Sequence, residues 1–273
     1  MSNYYDRIAA IYDVTRPLPQ SVSEQVTDCI LQLVAATPET RFLEPGIGTG
    51  RTSLGIIQRG YFYTGIDISK EMMDELRRKL QGVPHNLTLI QADASSLAFE
   101  NGSFDVVLTT HMLQCLPNWL QGVAEIRRVL QPNGFYLACE NLMTPHQKEF
   151  EQQWQAILTQ YQQGLQKKSQ LKQQLSPFKQ GITQVLIEQG AVVENLIAAQ
   201  WRVEQTVSEL LDAYQSRAYG VCWSVPEDIF SAAIRDFREW SHKHYGSLDL
   251  ILASDATFDI TVARNWACTS ESA

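Results

Sequence analysis

The 273-residue chain has no C-x-x-C pair, and its five cysteines, Cys29, Cys115, Cys139, Cys222 and Cys268, are scattered. An odd, dispersed set reads as reduced thiols and argues against both a disulfide framework and a structural zinc site. No apolar run reaches the ~18 residues that a membrane span requires. The opening stretch MSNYYDRIAAIYDVTRP carries Asp6, Arg7 and Asp13 where a secretory leader would be apolar. The expectation is a cytoplasmic protein with no membrane partner. Positive charge is also scarce: 22 Lys and Arg against 30 Asp and Glu leave a net charge of −8. A nucleic-acid partner calls for a basic surface, so none is expected. Gly-Lys-Ser/Thr occurs nowhere, which excludes a phosphate-cradling P-loop.

What the chain does contain is alternation. A helix is predicted over 21–36, with Ser21 and Glu24 as a capping box. A strand follows at 41–44, then a glycine-rich turn, then a helix over 52–58 that stops at Gly60. YFYTGIDIS is a second strand ending at Asp67, and Ser69 caps a helix running to Leu80. LTLIQADAS and FDVVLTT are further strands, Trp119 to Leu130 is helical, QPNG reads as a turn, and FYLACE is a fifth strand. Parallel strands need crossovers of this length, so the pattern is a doubly wound, open parallel sheet of the α/β class. Such sheets bind ligands beyond the carboxyl ends of their strands. The glycine turn, Asp67, Asp93 and the pair Thr110–His111 all fall there.

Past Asn141 glutamine dominates, yet apolar residues keep helical spacing. One set is Phe150, Trp154, Ile157, Leu158, Tyr161 and Leu165; the other is Leu171, Leu175, Phe178, Ile182 and Val185. A strand is predicted over 191–207, helices over 209–215 and 226–244, and a last strand over 256–266. The expected organisation is one domain: an N-terminal flap (1–20), a core (21–144), a helical segment (145–190) and a lid (207–252) inserted between the last two strands.

The turn itself, FLEPGIGTGRTS, selects among ligands. A dinucleotide fingerprint, G-x-G-x-x-G, fits Gly46 and Gly48 but meets Arg51 where its third glycine belongs. What stands here is E-x-G-x-G-x-G, with an acid at the end of the second strand and another after the third. Read alone, Asp67 also suits a helix cap, Asp93 a turn acid, and Ile68 and Met72 a core. Arg51 reads as a solvated helix residue.

In order and spacing these elements resemble the class I S-adenosylmethionine-dependent methyltransferases, over residues 4 to 141. LEPGIGTGR looks like their first motif, GIDIS their second-strand acid, QADA their adenine-side motif, and FDVVLTTHMLQCL their fourth strand. RRVLQPNGFYL is similar to the helix–turn–strand of the small-molecule branch called type 11. Pro45 departs from the branched apolar residue common there. The resemblance implies a Rossmann-like, seven-stranded sheet with a helical lid over the strand ends, and transfer of a methyl group to a small organic acceptor, leaving S-adenosylhomocysteine. It implies that Gly46, Gly48 and Gly50 let the backbone approach the cofactor and that Glu44 accepts from its ammonium. Asp67 would hold the ribose hydroxyls, and Asp93 with the Ala94 amide would read the adenine between Ile68 and Met72. Thr110 would complete this set. Tyr12 and Arg16 match a flap that folds over the cofactor, with Arg16 facing its carboxylate.

His111 stands where an acceptor would meet the methyl group, as general base or as pocket wall. SRAYGVCWS brings Arg217, Tyr219 and Trp223 to the lid around Gly220, as an acceptor pocket. No metal site is expected, and the chain is expected as monomer or homodimer. The competing readings are a NAD(P)-dependent oxidoreductase and a non-catalytic S-adenosylmethionine-binding protein.

Overall fold

The apolar run Phe104–Thr110 forms the centre of the sheet because it is covered on both faces: Val106, Val107 and Leu108 are 1%, 0% and 0% exposed. The computed structural model describes residues 2–162 and 176–266. In chain order the elements are α1 Ser2–Ile8, α2 Tyr12–Thr15, α3 Gln20–Leu33, β1 Arg41–Pro45, α4 Leu54–Gln58, β2 Phe62–Asp67, α5 Lys70–Lys79, β3 Leu87–Gln91, β4 Phe104–Thr110, α6 Trp119–Val129 and β5 Leu130–Asn141. Then come α7 Pro145–Gln162, α8 Ser176–Glu188, β6 Val192–Thr206, α9 Val207–Gln215, α10 Glu227–Tyr245 and β7 Ile251–Arg264. Leu165, Leu171, Leu175 and Cys268 lie outside the described residues.

The seven strands run in the order β3-β2-β1-β4-β5-β7-β6. β1 to β5 pair in parallel, and β7 is antiparallel to both β5 and β6. The order reverses at β1 and β4, so the ends of these strands open the crevice where such sheets bind ligands. One face is covered by α3, α4 and α5 through Val26, Ile30, Ile56, Ile57, Met73 and Leu76; the other by α6 and α8 through Val123, Ile126, Val129, Ile182 and Leu186. A third cluster joins α7, α9 and α10 through Phe150, Trp154, Tyr214, Phe230 and Phe237, and reaches Leu252 at the start of β7.

Three local expectations need correction. α3 begins at Gln20, with Pro19 as N-cap and no side-chain cap. The fixed φ of proline turns the chain into the helix one residue early, so Ser21 is already helical and the Ser21–Glu24 box does not form. Glu24 instead accepts from Gln20 Nε2 at 2.9 Å. QPNG does not end a helix-to-strand turn; it lies inside β5, where the register slips from Phe104↔Leu130 to Val106↔Phe135. The last strand is also longer than its apolar run, because β7 pairs with β6 from Ile251 onwards. The Ser69 cap on α5 is present and accepts from Met72 N. A full capping box forms instead at α9, from Thr206 and Glu209.

Candidate functional site

β1 ends at Pro45, and the chain turns through Gly46, Gly48 and Gly50 with φ of 75°, 54° and 72°. All three lie in the left-handed region that glycine enters without steric cost. The turn is tied to β2 by Gly46 N and Ile47 N, which both donate to Ile66 O, at 2.7 and 2.9 Å. The three positions differ in what a side chain would meet. A Cβ at Gly46 would fall 2.2 Å from Met112 Cγ, and one at Gly50 would fall 2.5 Å from Leu76 Cδ1. At Gly48 the nearest atoms are Met72 Cε at 3.4 Å and Asp67 Oδ2 at 4.0 Å. The outer glycines are therefore required by the protein's own packing, whereas a Cβ at the middle one would meet Met72 and Asp67 only at ordinary contact distance.

Asp67 closes β2 beside that opening. Its Oδ2 accepts from Gly48 N at 2.8 Å and its Oδ1 from Ser69 N at 2.9 Å. Burial raises its pKa against the pull of these backbone donors. The Ile68 backbone also bonds to this carboxylate. The capping of α5 falls to Ser69, whose hydroxyl also donates to Asp6 Oδ1 at 2.6 Å. Glu44 is 1% exposed: Tyr63 donates to Oε2 at 2.9 Å and Thr110 to Oε1 at 3.3 Å. Burial pushes its carboxyl up to about 7, despite those donors. Asp93 is exposed and holds its own turn, with Oδ1 accepting from Ser95 N at 2.8 Å and Ser95 Oγ at 2.7 Å; these donors hold its pKa down. Ala94 beside it is buried. Ile68 projects outwards at 44% exposure, while Met72 is in the core at 3%.

The N-terminal flap lies across the turn. Asp13 accepts from Thr49 Oγ1 at 2.6 Å and from Lys79 Nζ at 2.7 Å. Arg16 does not face the turn freely: its Nη2 donates to Ala218 O at 2.8 Å, its Nη1 to Thr15 Oγ1 at 3.0 Å, and its guanidinium lies 4.4 Å from the Tyr12 ring centroid and 5.1 Å from that of Tyr219. Tyr4 stacks on Trp223 at 5.4 Å and Tyr5 meets it edge-on at 4.9 Å. Flap and lid are thus latched together. The same flap overturns the expectation of a solvated Arg51. That guanidinium is hydrogen-bonded to Tyr12, burial lowers its pKa, and its Nε has no partner.

His111 follows β4 with φ of 51°. Asn141 N donates to its Nε2 at 3.2 Å, and Asn141 Oδ1 lies 3.0 Å from the same nitrogen. Burial pushes the ring's pKa down to about 4. His111 is therefore a neutral ring at pH 7, held against Asn141. The cavity beside it, lined by Met112, Cys139, Ile182 and Thr261 among others, is about 20 Å³. A larger open groove of about 440 Å³ runs between α3 and β6, past Cys29, Leu33 and Ala198, away from the turn.

In the lid Arg217 acts as a staple. Its Nη1 donates to Cys222 O at 3.1 Å and Val225 O at 2.9 Å, its Nη2 pairs with Glu227 at 2.8 Å, and it sits over the Phe230 ring at 3.7 Å. Trp223 Nε1 donates back to Arg217 O at 2.9 Å. Arg217 and Trp223 thus hold the 217–225 loop. Sequence reasoning missed Tyr63 and Asn141, the partners of Glu44 and His111. Both stand on strands adjacent to their partners, so the parallel register was the signal available.

Residues 43–138 match the family model described as a methyltransferase domain. The chain is 30% identical over 141 residues to demethylmenaquinone methyltransferase of Clavibacter sepedonicus, covering 51% of this chain and 57% of that one. It spans less than two thirds of the first curated relatives it matches. Among solved structures, the [4+2]-cyclase SpnF superposes with a TM-score of 0.58 at 16% identity, covering 98% of this chain and 96% of that one. A phosphoethanolamine N-methyltransferase of Haemonchus contortus, in complex with phosphomonomethylethanolamine and S-adenosylhomocysteine, gives 0.53 at 15% identity, covering 96% and 58%. At such identities the structural likeness is one of fold.

Proposed function

We propose that this protein, whose residues 43–138 match the family model described as a methyltransferase domain, methylates a small organic molecule with S-adenosylmethionine and releases S-adenosylhomocysteine. One observation carries the reading: Asp67, at the end of β2, lies against the middle glycine of the turn beside the side chain of Met72, and of the three glycines this one alone has no side chain packed into its Cβ position. A nucleoside with a ribose diol and no phosphate suits that arrangement, since Gly48 N, the donor a phosphate would seek, is already given to Asp67.

Bound there, S-adenosylmethionine supplies an electrophilic methyl group on a sulfonium. Asp67 accepts from the ribose hydroxyls. Asp93 accepts from the adenine amino group through the oxygen that Ser95 leaves free, with the Ala94 amide on the ring. Met72 and Ile68 flank the adenine. Glu44 compensates the ammonium, an arrangement that ionises a carboxyl otherwise raised by burial. His111, a neutral ring held against Asn141, shapes the acceptor side. Alignment of acceptor, methyl and sulfur then supplies the rate. Because one close fold neighbour is a cyclase, fold alone does not decide the reaction.

A thermal-shift panel tests the cofactor. S-adenosylhomocysteine is expected to raise the melting temperature and NAD to leave it unchanged; the reverse result defeats the proposal. Transfer of labelled methyl to a metabolite extract then separates an enzyme from a passive binder.

A further inference from the structure

Arg51 directly follows the last glycine of the turn and is half-buried, with its Nε out of reach of solvent. Its neighbours are Tyr12, Asp13 and Arg16 from the flap and His111 from the end of β4. Its Nε is buried without a partner, and among the described residues no carboxylate forms an ion pair with it. Asp13, the acid beside it, has both oxygens taken, by Thr49 and Lys79. Arg16 is committed to Ala218 O, Thr15 and two tyrosine rings. A desolvated guanidinium without an anion is costly, and the cost disappears when an anion arrives. The planar fork of arginine fits a carboxylate. The turn is also bracketed by two ionisable groups of opposite sign, the buried Glu44 before it and the half-buried Arg51 after it, which is the pattern that a zwitterion requires.

We propose that Arg51, not Arg16, binds the carboxylate of the cofactor's amino-acid tail, and that Arg16 instead latches the flap to the lid. This rests on the cofactor reading given above. A carboxylate on an acceptor has the same chemistry, and the choice of probes separates the two sources. S-adenosylhomocysteine carries the tail; 5′-methylthioadenosine has the same nucleoside and thioether without it.

Calorimetric titration of both probes into the wild type, Arg51→Met and Arg51→Lys provides the test, with circular dichroism melts verifying the fold. Arg51→Met is expected to weaken S-adenosylhomocysteine roughly ten- to a hundredfold, the scale of a charge-assisted hydrogen bond, and to leave methylthioadenosine within about twofold. Arg51→Lys, which keeps the charge without the fork and serves alone if the methionine variant does not fold, is expected to show a smaller, equally tail-specific loss. Equal weakening of both probes assigns Arg51 a structural role and overturns the proposal. Unchanged affinity for both overturns it too and leaves the anion to the acceptor. Failure of the wild type to bind either probe is a different result: it removes the cofactor reading and this proposal with it.

Discussion

The Gly46–Gly50 turn is made of backbone, whereas the lid facing it is made of rings. In the turn, three positive φ angles, two amides on Ile66 O and one on Asp67 fix the chain, and the side chains that matter are charged. In the lid, Phe150 and Trp154 of α7 pack on Tyr214 of α9 and Phe237 of α10 with ring centroids 5.0–6.4 Å apart. Polar groups there hold loops together, as Arg217 does, or are left without a partner, as Trp154 Nε1 is. The difference teaches where each region's order comes from: the turn is held by backbone hydrogen bonds, and the helical region by ring packing.

The sharpest way to break that division is Trp154→Ala. The side chain is fully buried at the centre of the lid cluster, and its loss is expected to cost about 3–5 kcal/mol in urea unfolding. If turn and lid are separate in function, the folded variant keeps its affinity for S-adenosylhomocysteine within about twofold, by calorimetry. A parallel fall in affinity would merge the two regions.

The opposite arm is Asp67→Ala. It is expected to weaken S-adenosylhomocysteine roughly tenfold or more, the worth of one charge-assisted hydrogen bond, while leaving the lid packed. Near-ultraviolet circular dichroism, dominated by the lid's aromatic cluster, should be unchanged. An unaltered affinity would remove Asp67 from the ribose.

These regions also differ in how far the sequence discloses them. The turn is legible because glycine at three alternate positions marks a left-handed backbone, and because its acids sit at strand ends that apolar runs define. Arg51 is not, since the flap residues beside it come from 12–16, and nothing local announces that contact. Arg16 illustrates the same point: its committed partners, Ala218 and Tyr219, lie two hundred residues away. In the lid, helical spacing marks Phe150, Trp154 and Phe237 as buried, but a ring's choice of neighbour depends on three helices meeting, which spacing does not encode. The Ser21–Glu24 box fails for a smaller reason: Pro19 overrides it by one residue.

The smallest expected effect comes from two buried titrating groups on the turn side, because in the wild type they oppose each other. His111 has its pKa pushed down to about 4, from an ordinary value near 6.5. The folded state therefore binds fewer protons than the unfolded one between these values, so this contribution to stability is present above pH 6.5 and is lost as pH falls towards 4. Glu44 is pushed up to about 7 from 4.5. Here the folded state binds more protons, so stability is present at low pH and is lost as pH rises through that window. Between pH 4.5 and 6.5 the two slopes partly cancel, and single substitutions expose them. Relative to the wild type, His111→Asn, which tolerates the left-handed backbone at that position, should gain stability as pH falls below 6.5. Glu44→Gln should gain stability as pH rises towards 8. In the lid, burial drives Cys222 to about 12 and Tyr214 upwards, away from neutrality, and raises Glu151 in the same sense as Glu44. Glu151→Gln is thus the matched control: a pH slope as large as that of Glu44→Gln would place the titration in the lid as well. Urea titrations at pH 4.5, 6 and 8 measure all three differences. The same neutral ring leaves His111 no titration to contribute near pH 7, so His111→Asn should preserve the shape of the pH–rate profile between pH 5.5 and 8. Loss of a limb near pH 6.5 would restore His111 as a base.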